Sequence, residues 1–307
     1  MTLQQLEYVL AIDEHRHFVH AAESCGITQS TLSSMLKKLE EELDMVIFDR
    51  NSHPICPTEA GQEVIRQARV VMFHAKQLKE STLSQRQKTQ GDILIGITPT
   101  IAPCIIPKLF NFIKQKPGVN VRASELNRDR VVEKLRIAQL DMGIMSVTHP
   151  IDGLLEIPLY TERFVAYVSP NDPLINSESI PSTAMPLERI WVLQHEISFQ
   201  EQVDTFSTQQ AGRRSIYESG NIATLLHLVN ANDGFTVLPE LHVSMLRHDD
   251  QCNVRPLVNP VPTRRVSLFV RQDYVREGML NIIADAIKTI IPEHMLDEHL
   301  VKYPIRL

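Results

Sequence analysis

The stretch from Phe18 to Leu43 leaves the chain few choices. Phe18, Ala21, Ala22 and Cys25 recur at helical spacing until Gly26 ends the stripe. Thr28 then opens a second stripe, in which Leu32, Leu36, Leu39 and Leu43 follow at intervals of four, three and four. Such a pattern reads as two helices joined by a tight turn, the second presenting Gln29, Ser30, Ser33, Ser34, Lys37 and Lys38 outward. Upstream, Leu3, Leu6, Val9 and Leu10 mark one more helix. Downstream, Val46–Arg50 and Ile55–Pro57 flank the turn formers Asn51-Ser52-His53-Pro54, as in a two-stranded hairpin.

Helix, helix, turn, helix and hairpin is the order of a winged helix-turn-helix, expected over residues 1–58. The Thr28-capped helix suits a major groove: Gln29 can read base edges, Ser30, Ser33 and Lys37 can hold phosphates, and Arg50 on the wing can reach a flanking phosphate. Charge gives little help. The chain carries 31 Lys and Arg against 37 Asp and Glu, a net of −6, and residues 1–58 hold four basic against nine acidic side chains. DNA contact must therefore be local and salt-sensitive.

From Thr58 to about Gln87 runs a segment almost free of helix breakers, with Val64, Ala68, Val71, Ala75 and Leu78 at heptad spacing. A helix of that length, about 42 Å at ~1.5 Å per residue, predicts a dimerising linker over residues 59–90, its alternative being a core helix of the adjacent domain. After Gly91 the pattern changes to alternating strands and helices, with strands expected at Ile93–Thr98, Val119–Glu125, Met142–Val147, Phe164–Ser169, Ile190–Leu193, Ser215–Glu218, Phe235–Leu238 and Arg265–Arg271, and a helix at Asn281–Ile291. This is an α/β domain, 91–307, with a largely parallel sheet. Its size predicts two lobes, about 91–163 with 265–303 and about 164–264.

With 307 residues and 43% hydrophobic content the chain has ample core for several such units, and no apolar run approaches the ~18 residues that cross a bilayer. The N-terminus lacks a secretory pattern, so no membrane partner and a cytoplasmic location are expected. Cys25, Cys56, Cys104 and Cys252 are scattered, as reduced thiols rather than disulfides or zinc ligands. Cys104 beside Pro103 sits at an expected helix start, where the dipole favours thiolate, although a buried thiol is the commoner outcome. His15, His17 and His20 are more readily solvated histidines than metal ligands. No nucleophile elbow, phosphate loop or catalytic carboxylate pair occurs, so neither enzyme activity nor a resident cofactor is expected.

The run Phe18–Ser33, together with Lys38–Leu43, Phe48-Asp49-Arg50 and Thr58-Glu59-Ala60-Gly61, resembles the N-terminal signature of LysR-type transcriptional regulators. That resemblance implies a winged helix-turn-helix, a dimerising linker helix and a two-lobed effector domain like periplasmic binding proteins. It further implies a homotetramer, a dimer of dimers, on a double-stranded operator, and DNA contacts at Gln29, Ser30, Ser33, Ser34 and Arg50. Met35 departs from the polar residue many members carry there. In the effector half, Gly96–Pro103, Ile222–Leu225 and Gly234–Pro239 are similar to the peroxide-sensing OxyR branch.

That branch carries two redox cysteines with eight residues between them, after a Trp-x-Leu; here Trp191-Val192-Leu193 leads instead to Ser198 and Ser207 at that same spacing. A serine hydroxyl forms neither sulfenic acid nor disulfide. Engineered cysteine-to-serine changes that lock a reduced form and natural divergence both fit, and the atypical neighbours Glu196-Ile197 and Gln200 favour divergence. The effector cleft is expected at Thr98, Thr100, Arg128, Ser198 and Asn221, with an anion the favoured ligand if Arg128 is not spent on Glu125 or Asp129. The competing readings are a peroxide-responsive regulator that uses a different thiol, an α/β enzyme fused to a DNA-binding domain, and a scaffold with an empty, collapsed cleft.

Overall fold

A computed structural model describes residues 1–81, 90–191 and 221–306. Two compact units emerge: Met1–Lys88 with Arg136–Gln139, and Thr89–Leu135 with Leu140–Leu307.

In the first unit, α1 (Leu3–His15) begins at a capping box: the Thr2 hydroxyl accepts from Gln5 N (3.2 Å) and Gln5 Oε1 accepts from Thr2 N (2.9 Å). After α2 (Phe18–Ser24), Gly26 turns the chain at φ +67°, where a side chain would be strained, and Ile27 N returns to Ala22 O at 3.0 Å. Thr28 caps α3 (Gln29–Leu43) by accepting from Thr31 N at 3.2 Å. The leucine stripe does what its spacing predicts, since Leu32, Leu36 and Leu39 are buried against Val9, Ile12, Ala21, Ile47 and Phe48. Strands β1 (Phe48–Asp49) and β2 (Cys56–Pro57) pair antiparallel as the wing. Helix α4 (Glu59–Ser81) starts where the Thr58 hydroxyl accepts from Gly61 N (2.9 Å) and donates to Val46 O (2.7 Å). Gly61 lies so close to the backbone just before β1 that a Cβ there would stand 1.9 Å from Ile47 O.

The seam expected along α4 divides. Ala68 is buried in the core of its own unit and Val64 packs against that core, because α4 lies on α1 and is held there by Arg69 paired with Asp13. Val71 and Leu78 are exposed, and Ala75 is half-buried. Among the described residues, the exposed part of the stripe is therefore its distal part. The helix is described to Ser81, and the remainder of the expected linker lies outside the described residues.

The second unit is a curled mixed sheet rather than a largely parallel one. Strand β3 (Gly91–Ile97) pairs parallel with β4 (Val119–Glu125) and β5 (Met142–Ser146). Strand β11 (Thr263–Arg271), however, runs antiparallel to β5 and to β6 (Leu154–Val168), and β6 is antiparallel to β9 (Phe235–Pro239) and β10 (Val254–Val258). Short strands β7 (Ile180–Pro181) and β8 (Ile190–Trp191) pair parallel with β10 and β9. The first half of β6 was not expected from sequence, because Glu156, Pro158, Glu162 and Arg163 interrupt its alternation; β10 hides behind Arg255 and Pro256.

Strand β6 joins two cores. Its start, through Leu154, belongs to a cluster with Val131, Leu135, Leu140, Met145 and Phe269. Its end, through Phe164, Ala166 and Val168, belongs to one with Ile180, Ile190, Phe235 and Leu257. The pairing changes hands between Arg163, opposite Thr263, and Phe164, opposite Pro239. Helix α5 (Ala102–Ile113) follows β3, and α6 (Arg128–Arg136) follows β4. On the other side, α7 (Ile222–Ala231) precedes β9, and a 3-10 turn, Glu240–Met245, follows it. Helices α8 (His248–Gln251), α9 (Glu277–Ile290) and α10 (Glu298–Lys302) complete the described chain. Ser198, Ser207 and the strand expected at 215–218 lie outside the described residues. No helix among the described residues is long and apolar enough to cross a membrane.

Candidate DNA-binding face and effector cleft

On α3, Gln29, Ser30, Ser34, Lys37 and Lys38 are exposed and Ser33 is half-buried, so the polar face stands clear of the core. Ser30 Oγ lies 3.0 Å from the Thr28 hydroxyl at the cap. Lys37 leans toward Glu41 at 3.6 Å, a solvent-exposed pair that gives way easily to a phosphate. Arg50 is more constrained: its guanidinium donates to Glu40 Oε2 at 2.7 Å while 41% of the side chain stays exposed. Glu40, only 9% exposed, also accepts from Ile47 N at 2.8 Å through its other oxygen. One buried carboxylate thus ties the end of α3 to the wing and aims Arg50. In the sequence Glu40 is one of the nine acids of residues 1–58, and its place beside Leu39 at the edge of the buried stripe marks it out. Of the histidines, His20 contacts Glu23 at 3.4 Å and its ring stacks 4.6 Å from His17, and the described residues contain no group of three His, Cys, Asp or Glu able to hold a metal.

In the second unit a cavity of about 540 Å³ opens between the start of α5 and the α7 and 3-10 segments, lined among the described residues by Pro99, Pro103, Glu125, Asn221, Ile222, Ala223, Leu226, His242, Met245 and Leu246. Asn221 is on its wall, with its side-chain oxygen accepting from Ala223 N (2.8 Å) as the cap of α7. Thr100 does not line it. It is buried, and its hydroxyl and carbonyl accept from Arg264 at 2.8 and 3.1 Å. Arg264 in turn donates to Glu162 Oε1 at 2.9 Å, both side chains being almost wholly buried, and Glu162 Oε2 accepts from Leu241 N. Thr98, half-buried, is outside the described lining too, its backbone donating to Ile144 O. Arg128 pairs with its neighbour Asp129 at 3.4 Å and brings no cation to the cavity wall.

Cys104 and His242, which the sequence did not bring together, meet here. Cys104 Sγ is 3.6 Å from His242 Nδ1. Burial, reinforced by the nearby Glu162 charge, pushes the Cys104 thiol up to about 11, so the helix start does not make it a thiolate. Burial, with the Arg264 charge adding to it, holds His242 down at about 3, a neutral imidazole whose Nε2 has no hydrogen-bond partner among the described residues.

A helix-turn-helix with a wing and a separate α/β unit containing a ligand-sized cleft define the class: a DNA-binding regulator with an effector domain. The lysR-family bacterial regulatory helix-turn-helix model matches residues 3–62, and the LysR substrate binding domain model matches residues 86–289. The chain belongs to the LysR family and is a DNA-binding transcriptional regulator of LysR type. It is 30% identical over 297 residues to the hydrogen peroxide-inducible genes activator of Pectobacterium carotovorum subsp. carotovorum, covering 96% of this chain and 97% of that one. It is 29% identical over 296 residues to the DNA-binding transcriptional dual regulator OxyR of Escherichia coli (strain K12), covering 96% and 97%. A full-length OxyR variant from Pseudomonas aeruginosa shares its fold at a TM-score of 0.82 and 27% identity, covering 97% of this chain and 98% of that one.

Proposed function

We propose that this regulator works in the cytoplasm as a homo-oligomer and answers to a small molecule in the cavity rather than to a disulfide. The observation that carries the reading is the cavity itself, open and walled mostly by apolar side chains. With Arg128 paired to Asp129 and Arg264 to Glu162, and with Glu125 on the wall, an uncharged and largely apolar ligand fits better than the anion favoured from sequence. Similar relatives are named for hydrogen peroxide. By the resemblance the redox-cysteine positions fall at Ser198 and Ser207, and Cys104, the thiol beside His242 of the cavity wall, is protonated at neutral pH and a poor peroxide nucleophile.

On DNA, Gln29 is assigned to base edges, and Ser30, Ser33, Ser34, Lys37 and Arg50 to phosphates. Lys37→Ala is expected to weaken binding to all operators alike and to lower the slope of log K against log salt by about one. A gel-shift titration on a genomic fragment selected by binding tests this. An unchanged affinity and slope would remove α3 from the groove.

A further inference from the structure

Cys104, in the first turn of α5, meets two donors of the 3-10 turn Glu240–Met245, so that two soft sulfurs and one imidazole nitrogen lie together. Cys104 Sγ lies 3.6 Å from His242 Nδ1 and 3.5 Å from Met245 Sδ. A 3-10 turn has three residues per turn, so His242 and Met245, three apart, project from the same side. One thiol hydrogen can serve only one of the two neighbours. A metal ion bound to all three would satisfy every donor. With metal–sulfur bonds of about 2.3 Å and metal–nitrogen bonds of about 2.0 Å, ligand atoms on a trigonal or tetrahedral ion sit roughly 3.5–4 Å apart.

We propose that Cys104, His242 and Met245 form a binding site for one soft monovalent metal ion of the Cu(I) class at the edge of the effector cavity. Thiolate, thioether and imidazole together select Cu(I) over oxygen-seeking ions. Charge argues the same way. The adjacent Arg264 and Glu162 side chains, 2% and 1% exposed, cancel one another. A monovalent ion on one thiolate is also neutral, whereas Zn(II) would leave a buried positive charge beside Arg264. The imidazole is already in its neutral, ligating form. Binding replaces the thiol hydrogen: the S–H bond breaks, an S–metal bond forms, and one proton is released per ion with no change of oxidation state. His242 and Met245 line the cavity and Met245 is 53% exposed, which gives the ion a way in. Once bound, it would tie α5 to the 3-10 turn along the cavity's edge. Only this regulatory consequence rests on the reading of the cavity as an effector site; the binding itself does not.

The full reduced chain, titrated without oxygen against Cu(I) held in a chromophoric chelator, tests the site with no DNA present. One tight equivalent per chain is expected, with two sulfurs and one nitrogen around the metal by X-ray absorption. Met245→Leu keeps the volume of a half-exposed side chain and removes only the thioether. Together with His242→Gln, it is expected to weaken binding by at least about 100-fold, the upper end of what even an outer-shell partner contributes. A chain carrying Cys25→Ser, Cys56→Ser and Cys252→Ser is expected to keep the tight equivalent. Wild-type affinity in Met245→Leu, loss of the tight equivalent in the triple variant, or displacement of Cu(I) by Zn(II) would each overturn the proposal. None of these results would touch the operator titration above.

Discussion

The Thr100 hydroxyl accepts from Arg264, and that bond separates a residue that lines a cleft from one that only lies near it. Arg264 and Glu162 are buried together, and such a pair is tolerable only when its remaining donors and acceptors are satisfied. Thr100 and Leu241 N perform that service, so the threonine belongs to the framework. No local pattern could reveal this, since the bonded residues are 79 or more positions apart. His242 is a second case, and it makes stability depend on pH. Its imidazole is held at about 3 in the folded chain, by burial first and the Arg264 charge second, against 6.5 when free. Below pH 6.5 the unfolded chain therefore binds a proton that the folded chain refuses, so stability falls as pH falls from 6.5 toward 3. Between pH 7 and 5 this one group is expected to cost about 1–2 kcal/mol. Urea unfolding of wild type and His242→Gln at both pH values should show the smaller loss in the variant. Equal losses would mean that the ring is not held neutral by its surroundings.

Among the elements, α3 was legible because its leucines keep helical period and its cap and turn residues agree with the same boundaries. Helix α4 was legible as a helix, yet the partner of its stripe was not. Val64 and Ala68 meet α1 of the same chain, and only tertiary packing decides that. Val71, at 39% exposure, and Leu78, at 71%, remain as apolar side chains seven residues apart on one face, suited to a second copy of the helix. Val71→Glu places like charges opposite each other there and is expected to dissociate the oligomer while leaving the chain folded, as read by sedimentation velocity with circular dichroism. A variant that sediments like wild type would assign the face to something other than self-association. Strand β6 was half-missed for the opposite reason. Its first half carries the Glu162 of the buried pair and the Arg163 that binds Glu240, polar residues whose partners are distant in sequence.

At the scale of the molecule, the order of parts was readable: helix-turn-helix, wing, long helix, then α/β sheet. The antiparallel half of that sheet was not, because it depends on β6, β10 and β11 meeting across long separations. The proposed switch is occupancy of the cavity, since by the OxyR resemblance Ser198 and Ser207 stand where that branch has its redox cysteines. One measurement bears on that claim most directly: graded hydrogen peroxide on the full chain, with intact mass and operator gel shift read on the same samples. No intramolecular loss of two hydrogen atoms and an unchanged operator affinity are expected at peroxide levels that leave exposed Cys56 and Cys252 intact. An intramolecular disulfide that forms at those levels and alters the gel shift would contradict that claim.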